Sequence, residues 1–142
     1  MRAIRLDKCA IAALSATFKE YMDEARAVKN IPVLQMIARP LSELKKQAET
    51  LLEQLDTCSP WADFTVEEST SMVGGGSLPG EELASFALTI LPKEMSCEAV
   101  TEAMRKHETP IIAHIKEEKV WVDMRTVQAE EIAAIAAFLT SL

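Results

Sequence analysis

Apolar residues in the first third of the chain recur every three or four positions, the period of helices with one buried face. Ile11, Leu14, Phe18 and Met22 follow Asp7, whose carboxylate can cap a helix start, and they predict a helix over 8–28. Asn30-Ile31-Pro32 stops it, and Val33, Leu34, Met36 and Ile37 predict a short apolar helix before Pro40. From Ser42 a third helix carries Leu44, Ala48, Leu51, Leu52 and Leu55 on one face and charged residues on the other. A leucine stripe of this kind predicts core rather than a partner-binding zipper.

Past Cys58-Ser59-Pro60 the character changes. Phe64-Thr65-Val66 predicts a strand leading into a glycine-rich loop, and residues 85–91 predict a second strand bounded by Pro92. Ser96 predicts a helix through 107, with Glu98 in its first turn and Arg105, Lys106 and His107 in its last, as the helix dipole favours. Strands over 111–115 and 120–123 follow, joined by the turn Lys116-Glu117-Glu118-Lys119. The last helix, over about 128–139, is capped by Thr126 and packed through Ile132, Ile135 and Leu139. The order α-α-α, then β-β-α-β-β-α, predicts an α+β fold. It divides into a helical arm or linker over 1–58 and a small domain over 59–142, whose mainly antiparallel sheet has helices on one face.

Composition narrows this picture. At 142 residues the chain is long enough for one cored domain and short for two. No apolar run approaches the roughly 20 residues of a membrane span, and the start of the chain lacks the apolar segment of a signal peptide. Cys9, Cys58 and Cys97 form neither a CxxC pair nor a disulfide framework, which fits a reducing cytoplasm. His107 and His114 have no cysteine at ligand spacing, so no metal site is expected. A formal charge of −7 offers no general footprint for nucleic acid, although Arg2, Arg5 and Lys8 stand together before the first acidic run and leave room for a local anion site.

All four glycines lie in Gly74-Gly75-Gly76-Ser77-Leu78-Pro79-Gly80. Successive bare N–H groups there can form an anion nest, and a long β-connection closed by a Pro-Gly turn fits equally well. It is not a phosphate loop of the Gly-Lys-Ser/Thr kind, and Ser77 lacks the nucleophile-elbow pattern. His107, at a helix end, suits the dipole better than catalysis, and His114 is either outward-facing or a pairing residue of its strand. Arg125 stands where a strand ends and a helix begins, and its fork can hold a carboxylate or phosphate. A structural pairing with Asp123 or another acid is the alternative. Arg2 and Arg5, three apart, would share a helical face and converge on one anion; a frayed basic N-terminus explains them equally well. No nucleophile, base and orienter occur together, so no catalytic residue is assigned.

Four stretches carry a resemblance. Met1-Arg2-Ala3-Ile4-Arg5-Leu6-Asp7-Lys8 with Ala12-Ala13-Leu14, then Ile31-Pro32-Val33-Leu34, is similar to consecutive segments of the bacterial selenocysteine synthase family, the L-seryl-tRNA(Sec) selenium transferases. Residues 73–80 resemble that family's glycine loop, and Pro110-Ile111-Ile112 through Val122-Asp123-Met124-Arg125-Thr126-Val127 resembles its C-terminal strand pair. The resemblance implies a pyridoxal 5'-phosphate enzyme of the aspartate-aminotransferase fold, of which this chain is the C-terminal part. The implied reaction converts seryl-tRNA(Sec) to selenocysteinyl-tRNA(Sec) with selenophosphate, in a cytoplasmic homo-oligomer. By position it implies that Arg2 and Arg5 bind the selenium donor, that Gly74, Gly75, Gly76 and Ser77 form an active-site loop, and that Arg125 falls where such folds hold a substrate carboxylate. The cofactor lysine is expected upstream of Met1. His114 stands where many relatives carry arginine, which weakens any anion contact from that strand. A free-standing anion- or protein-binding module, or a different cofactor enzyme of the same fold, are the rival readings. If the chain is part of a larger protein, Ile4, Ile11, Leu14 or Phe18 should be partly uncovered.

Overall fold

Capping decides where the first helices start and stop. The Asp7 carboxylate accepts from the N–H groups of Cys9 and Ala10 at 2.6 and 2.9 Å and opens α1, Lys8–Glu20. The helix expected over 8–28 does not continue: the chain turns at Tyr21-Met22-Asp23 and restarts as α2, Glu24–Asn30. Asp23 accepts from the Arg26 N–H at 3.0 Å and caps the new helix. Across the bend the Glu20 carboxylate accepts from the Arg26 guanidinium at 2.6 and 2.9 Å and from the Asn30 amide at 2.7 Å. Residues six apart do not meet on a straight helix, so this pairing needs the break. Arg26, and after it Asn30, hold the Glu20 carboxyl below its usual range. Helix α3, Pro32–Ala38, follows as expected, with proline at its first position.

The computed structural model describes residues 6–55, 60–73 and 80–142. They fall into two compact units, Met1–Ala38 and Arg39–Leu142. In the first, α1 buries none of its residues; Ile11, Leu14 and Phe18 are exposed, and Met22 is 86% exposed. Ile4 lies outside the described residues.

The second unit is α+β. Helix α4, Leu41–Gln54, precedes two long strands, β1 Ala62–Met72 and β2 Glu82–Pro92, then α5 Cys97–Lys106, β3 His114–Lys116, β4 Lys119–Asp123 and α6 Ile132–Ser141. The sheet order is β1-β2-β4-β3 and every pairing is antiparallel. Alternation along the central strands sends Leu88, Ile90, Val120 and Val122 to one face, all of them almost fully buried. Leu44, Ala48 and Leu51 of α4, Val100 and Met104 of α5, and Ile135 and Leu139 of α6 join the same core. The leucine stripe is core, and helices do lie on one face.

Three local expectations change. The strand expected over 111–115 shrinks to His114–Lys116, because the Ile111 N–H donates to the Met104 carbonyl at 2.9 Å and not to a ladder. Thr126 does not cap the last helix; its hydroxyl donates to the Asp123 carbonyl at 3.2 Å. A capping box at Gln128 and Glu131 starts a short 3-10 turn, Ala129–Glu131, that runs into α6. Glu117 and Glu118 close the β3–β4 hairpin at φ 53° and 57°. Such left-handed backbone suits Asn-Gly, and glutamate adopts it at a cost of about 1 kcal/mol per residue. The Cys97 thiol, whose pKa is pushed up mainly by burial, bonds the Glu118 carbonyl at 3.2 Å and ties this turn to α5.

Candidate functional site

The face of the sheet opposite the core carries, by alternation, a run of polar side chains beside Leu83, Ala87 and Leu91. Thr65, Glu67, Ser69 and Ser71 of β1 share it with Ser85 and Thr89 of β2 and with Trp121 and Asp123 of β4. Two polar clusters form there.

The first surrounds Asp123. Its carboxylate accepts from Ser71 Oγ at 2.7 Å, Ser85 Oγ at 2.6 Å and Ser69 Oγ at 3.4 Å, and from the Arg125 N–H at 2.9 Å. One carboxylate thereby joins the end of β1, the start of β2 and the turn after β4. The residues between those strand ends are 73–81, so the cluster stands at the base of the glycine loop. Arg125 is buried, and its guanidinium donates to the Arg39 carbonyl at 3.3 Å and to the Ala84 carbonyl. The pairing with Asp123 therefore runs through the Arg125 main chain among these bonds, and its side chain reaches carbonyls. Arg39, which no sequence pattern marked, answers from the other side. Its guanidinium donates to the carbonyls of Met124 and Val127 at 3.0 and 2.6 Å and to the side-chain oxygens of Gln128 and Gln47 at 2.9 and 3.3 Å.

The second cluster centres on Glu67, whose Oε1 accepts from Lys119 Nζ at 2.5 Å, Thr89 Oγ1 at 2.8 Å and Thr65 Oγ1 at 3.0 Å. Lys119, followed by the two threonines with Thr89 first, holds the Glu67 carboxyl below its usual range. Since the folded-state pKa lies below the unfolded one, this stabilisation is fully present above about pH 4.3 and is lost as the pH falls through the lowered value. Glu67→Gln should accordingly lower the melting temperature at pH 7, with the gap to the parent narrowing as the pH falls through the lowered Glu67 value. A gap that stays constant across a pH series of thermal melts contradicts the assignment.

Other predicted positions are placed as follows. His114 is exposed and stacks on Trp121 at 6.2 Å, both outward and pairing. His107 is half-buried, edge-on to Phe138 at 4.8 Å, with Nδ1 turned to the Thr109 main chain. Arg2, Arg5 and Gly74, Gly75, Gly76 and Ser77 lie outside the described residues. Every lysine except Lys119 is exposed, and Lys119 is taken by Glu67. None is placed to attach an aldehyde cofactor in a desolvated pocket, so these residues do not by themselves fit pyridoxal phosphate. Among the described residues no three metal-ligating side chains gather, and no helix is long and apolar enough to cross a membrane.

The family model for L-seryl-tRNA selenium transferase matches residues 1–128. Curated relatives carrying the name L-seryl-tRNA(Sec) selenium transferase include one from Carboxydothermus hydrogenoformans, 40% identical over 131 residues, covering 92% of this chain and 28% of the relative. One from Clostridium botulinum is 38% identical over 126 residues, covering 89% and 27%. One from Alkaliphilus metalliredigens is 36% identical over 141 residues, covering 99% and 30%. The chain thus spans less than a third of the length of these relatives.

Proposed function

Because the chain belongs to the L-seryl-tRNA selenium transferase family, we propose that it is the region that completes that enzyme's active site. The reaction in this reading is conversion of seryl-tRNA(Sec) to selenocysteinyl-tRNA(Sec) with selenophosphate as donor. The observation that carries it is the family match across residues 1–128. Pyridoxal 5'-phosphate supplies the electron sink for that chemistry when bound. Its attachment lysine and the tRNA-gripping surface are assigned to the part of the family protein that this chain does not match. The α+β unit is read as the small domain of the aspartate-aminotransferase fold, working in a cytoplasmic homo-oligomer. The exposed stripe Ile11, Leu14 and Phe18 on α1 fits a segment that packs on another part of such an assembly.

In this reading Arg2 and Arg5 bind the phosphate-like selenium donor. The loop residues Gly74, Gly75, Gly76 and Ser77 border the substrate with the Arg125 turn. What supports the pairing of loop and turn is the Asp123 cluster, which joins the strand ends flanking the loop to the turn that carries Arg125. Two charge-assisted contacts to one anion are worth roughly 1.5–3 kcal/mol each. Arg2→Ala with Arg5→Ala, made in a full-length relative whose matching segment is replaced by this chain, should therefore slow selenium transfer by about a hundredfold or more. Cofactor absorbance should be unaltered. Transfer at the parental rate removes the anion-site assignment, and an inactive parent chimera removes the selenium-transfer reading itself.

A further inference from the structure

Arg125 holds the main chain of Arg39, and Arg39 holds the main chain that flanks Arg125. The Arg125 guanidinium donates to the Arg39 carbonyl, and the Arg39 guanidinium donates to the carbonyls of Met124 and Val127 on either side of Arg125. The Arg39 side chain is 8% exposed, so this fork is spent inside the protein and not in water. Three further partners, Gln128 Oε1, Gln47 Oε1 and Glu43 Oε1 at 2.9, 3.3 and 3.8 Å, complete a set of five that a single ammonium point cannot reproduce. The segment it grips has no regular secondary structure between β4 and the capping box, yet its amides are bonded in turn. Met124 donates to Phe86, Arg125 to Asp123, Val127 to Met124 and Gln128 to Glu131.

We infer that Arg39 is a positioning residue: it fixes the Met124–Gln128 turn, and through it the Arg125 side chain and the strand ends at Ser71 and Ser85 that Asp123 ties to that turn, for substrate binding. The functional half rests on the reading above that this turn borders the substrate. A residue that shapes a binding rim without touching the reacting atoms should act on KM and leave kcat nearly alone.

Two measurements test it. In the whole 142-residue chain, Arg39→Met should speed amide hydrogen exchange at Met124–Gln128 by tenfold or more while amides within α5 keep their parental rates. In the full-length chimera, the same substitution should raise KM for seryl-tRNA about tenfold with kcat within twofold. Arg39→Lys keeps the charge but loses the fork and should fall between parent and Met variant in both; it also serves where the Met variant does not fold. Exchange that is unchanged, or faster throughout the unit, overturns the clasp. Local exchange with an unchanged KM overturns the positioning role. If the parent chimera transfers no selenium, the proposed function falls, and local against uniform exchange still decides the clasp.

Discussion

Asp123→Ala should destabilise the chain by about 3 kcal/mol, because it strands several donors at once. The carboxylate accepts from three serine hydroxyls and one main-chain N–H, and one of those serines, Ser85, is 1% exposed. A buried donor left without a partner costs about 1–3 kcal/mol, more than the bond was worth on balance. Asp123→Asn keeps one acceptor oxygen, and the serine hydroxyls can turn to accept from its amide. That variant should lose only about 1–2 kcal/mol. Denaturant unfolding of the two variants and the parent measures the order. The loss should also be local first: amide exchange should quicken at the Ser71 end of β1 and the Glu82 end of β2 before it does at the Phe64 end. Equal stabilities for the Ala and Asn variants would mean that the carboxylate is not the hub.

How much of this site can be read from the sequence depends on distance along the chain. Arg125 is legible, since a strand-ending Asp-Met-Arg-Thr announces itself. Its acceptors are not. The Ala84 carbonyl lies 41 residues away and the Arg39 carbonyl 86, and main-chain carbonyls carry no residue-type signal. Ser69 and Ser71 hide for another reason. The run after Val66, Glu67-Glu68-Ser69-Thr70-Ser71, has little of the β-branched or aromatic character that marks a strand. It is strand because β2 pairs with it across its whole length. Once the strand is extended to Met72, period two puts Thr65, Glu67, Ser69 and Ser71 on one face, and both polar clusters follow. Arg39 gave no local sign at all: its main-chain partners are 85 and 88 residues on.

The fold was legible where burial and period agree. Capping by Asp7 and Ser96, the α4 stripe and a strand over 85–91 are all present in the structure. It was misread where apolar spacing continues across a break. Phe18 and Met22 keep helical spacing through Tyr21-Met22-Asp23, yet Asp23 caps a new helix and Glu20 reaches Arg26. Periodicity reports which face is apolar; it does not report whether a carboxylate nearby has a better use for the next N–H.

The same limit separates two stripes that look alike in sequence, and mutation should tell them apart. Leu51 on α4 and Leu14 on α1 both recur with apolar neighbours at helical spacing. Leu51 is fully buried among the residues that cover the sheet, whereas Leu14 is 50% exposed. Leu51→Ala removes buried methyl groups and leaves a cavity in a packed interior, a loss of about 2–5 kcal/mol. For a domain of this order that lowers the melting temperature by roughly 10 °C or more. Leu14→Ala in the isolated chain should stay within about 0.5 kcal/mol of the parent, as surface changes do. Leu52→Ala, half-buried on the flank of α4, should fall between the two. Thermal melts of the three variants give the ranking directly. If Leu14→Ala costs as much as Leu51→Ala, the α1 stripe is buried in this chain in solution and is not a surface kept for another part of the assembly. If it costs almost nothing here but several kcal/mol within the full-length chimera, the stripe is an interface whose partner lies outside these residues.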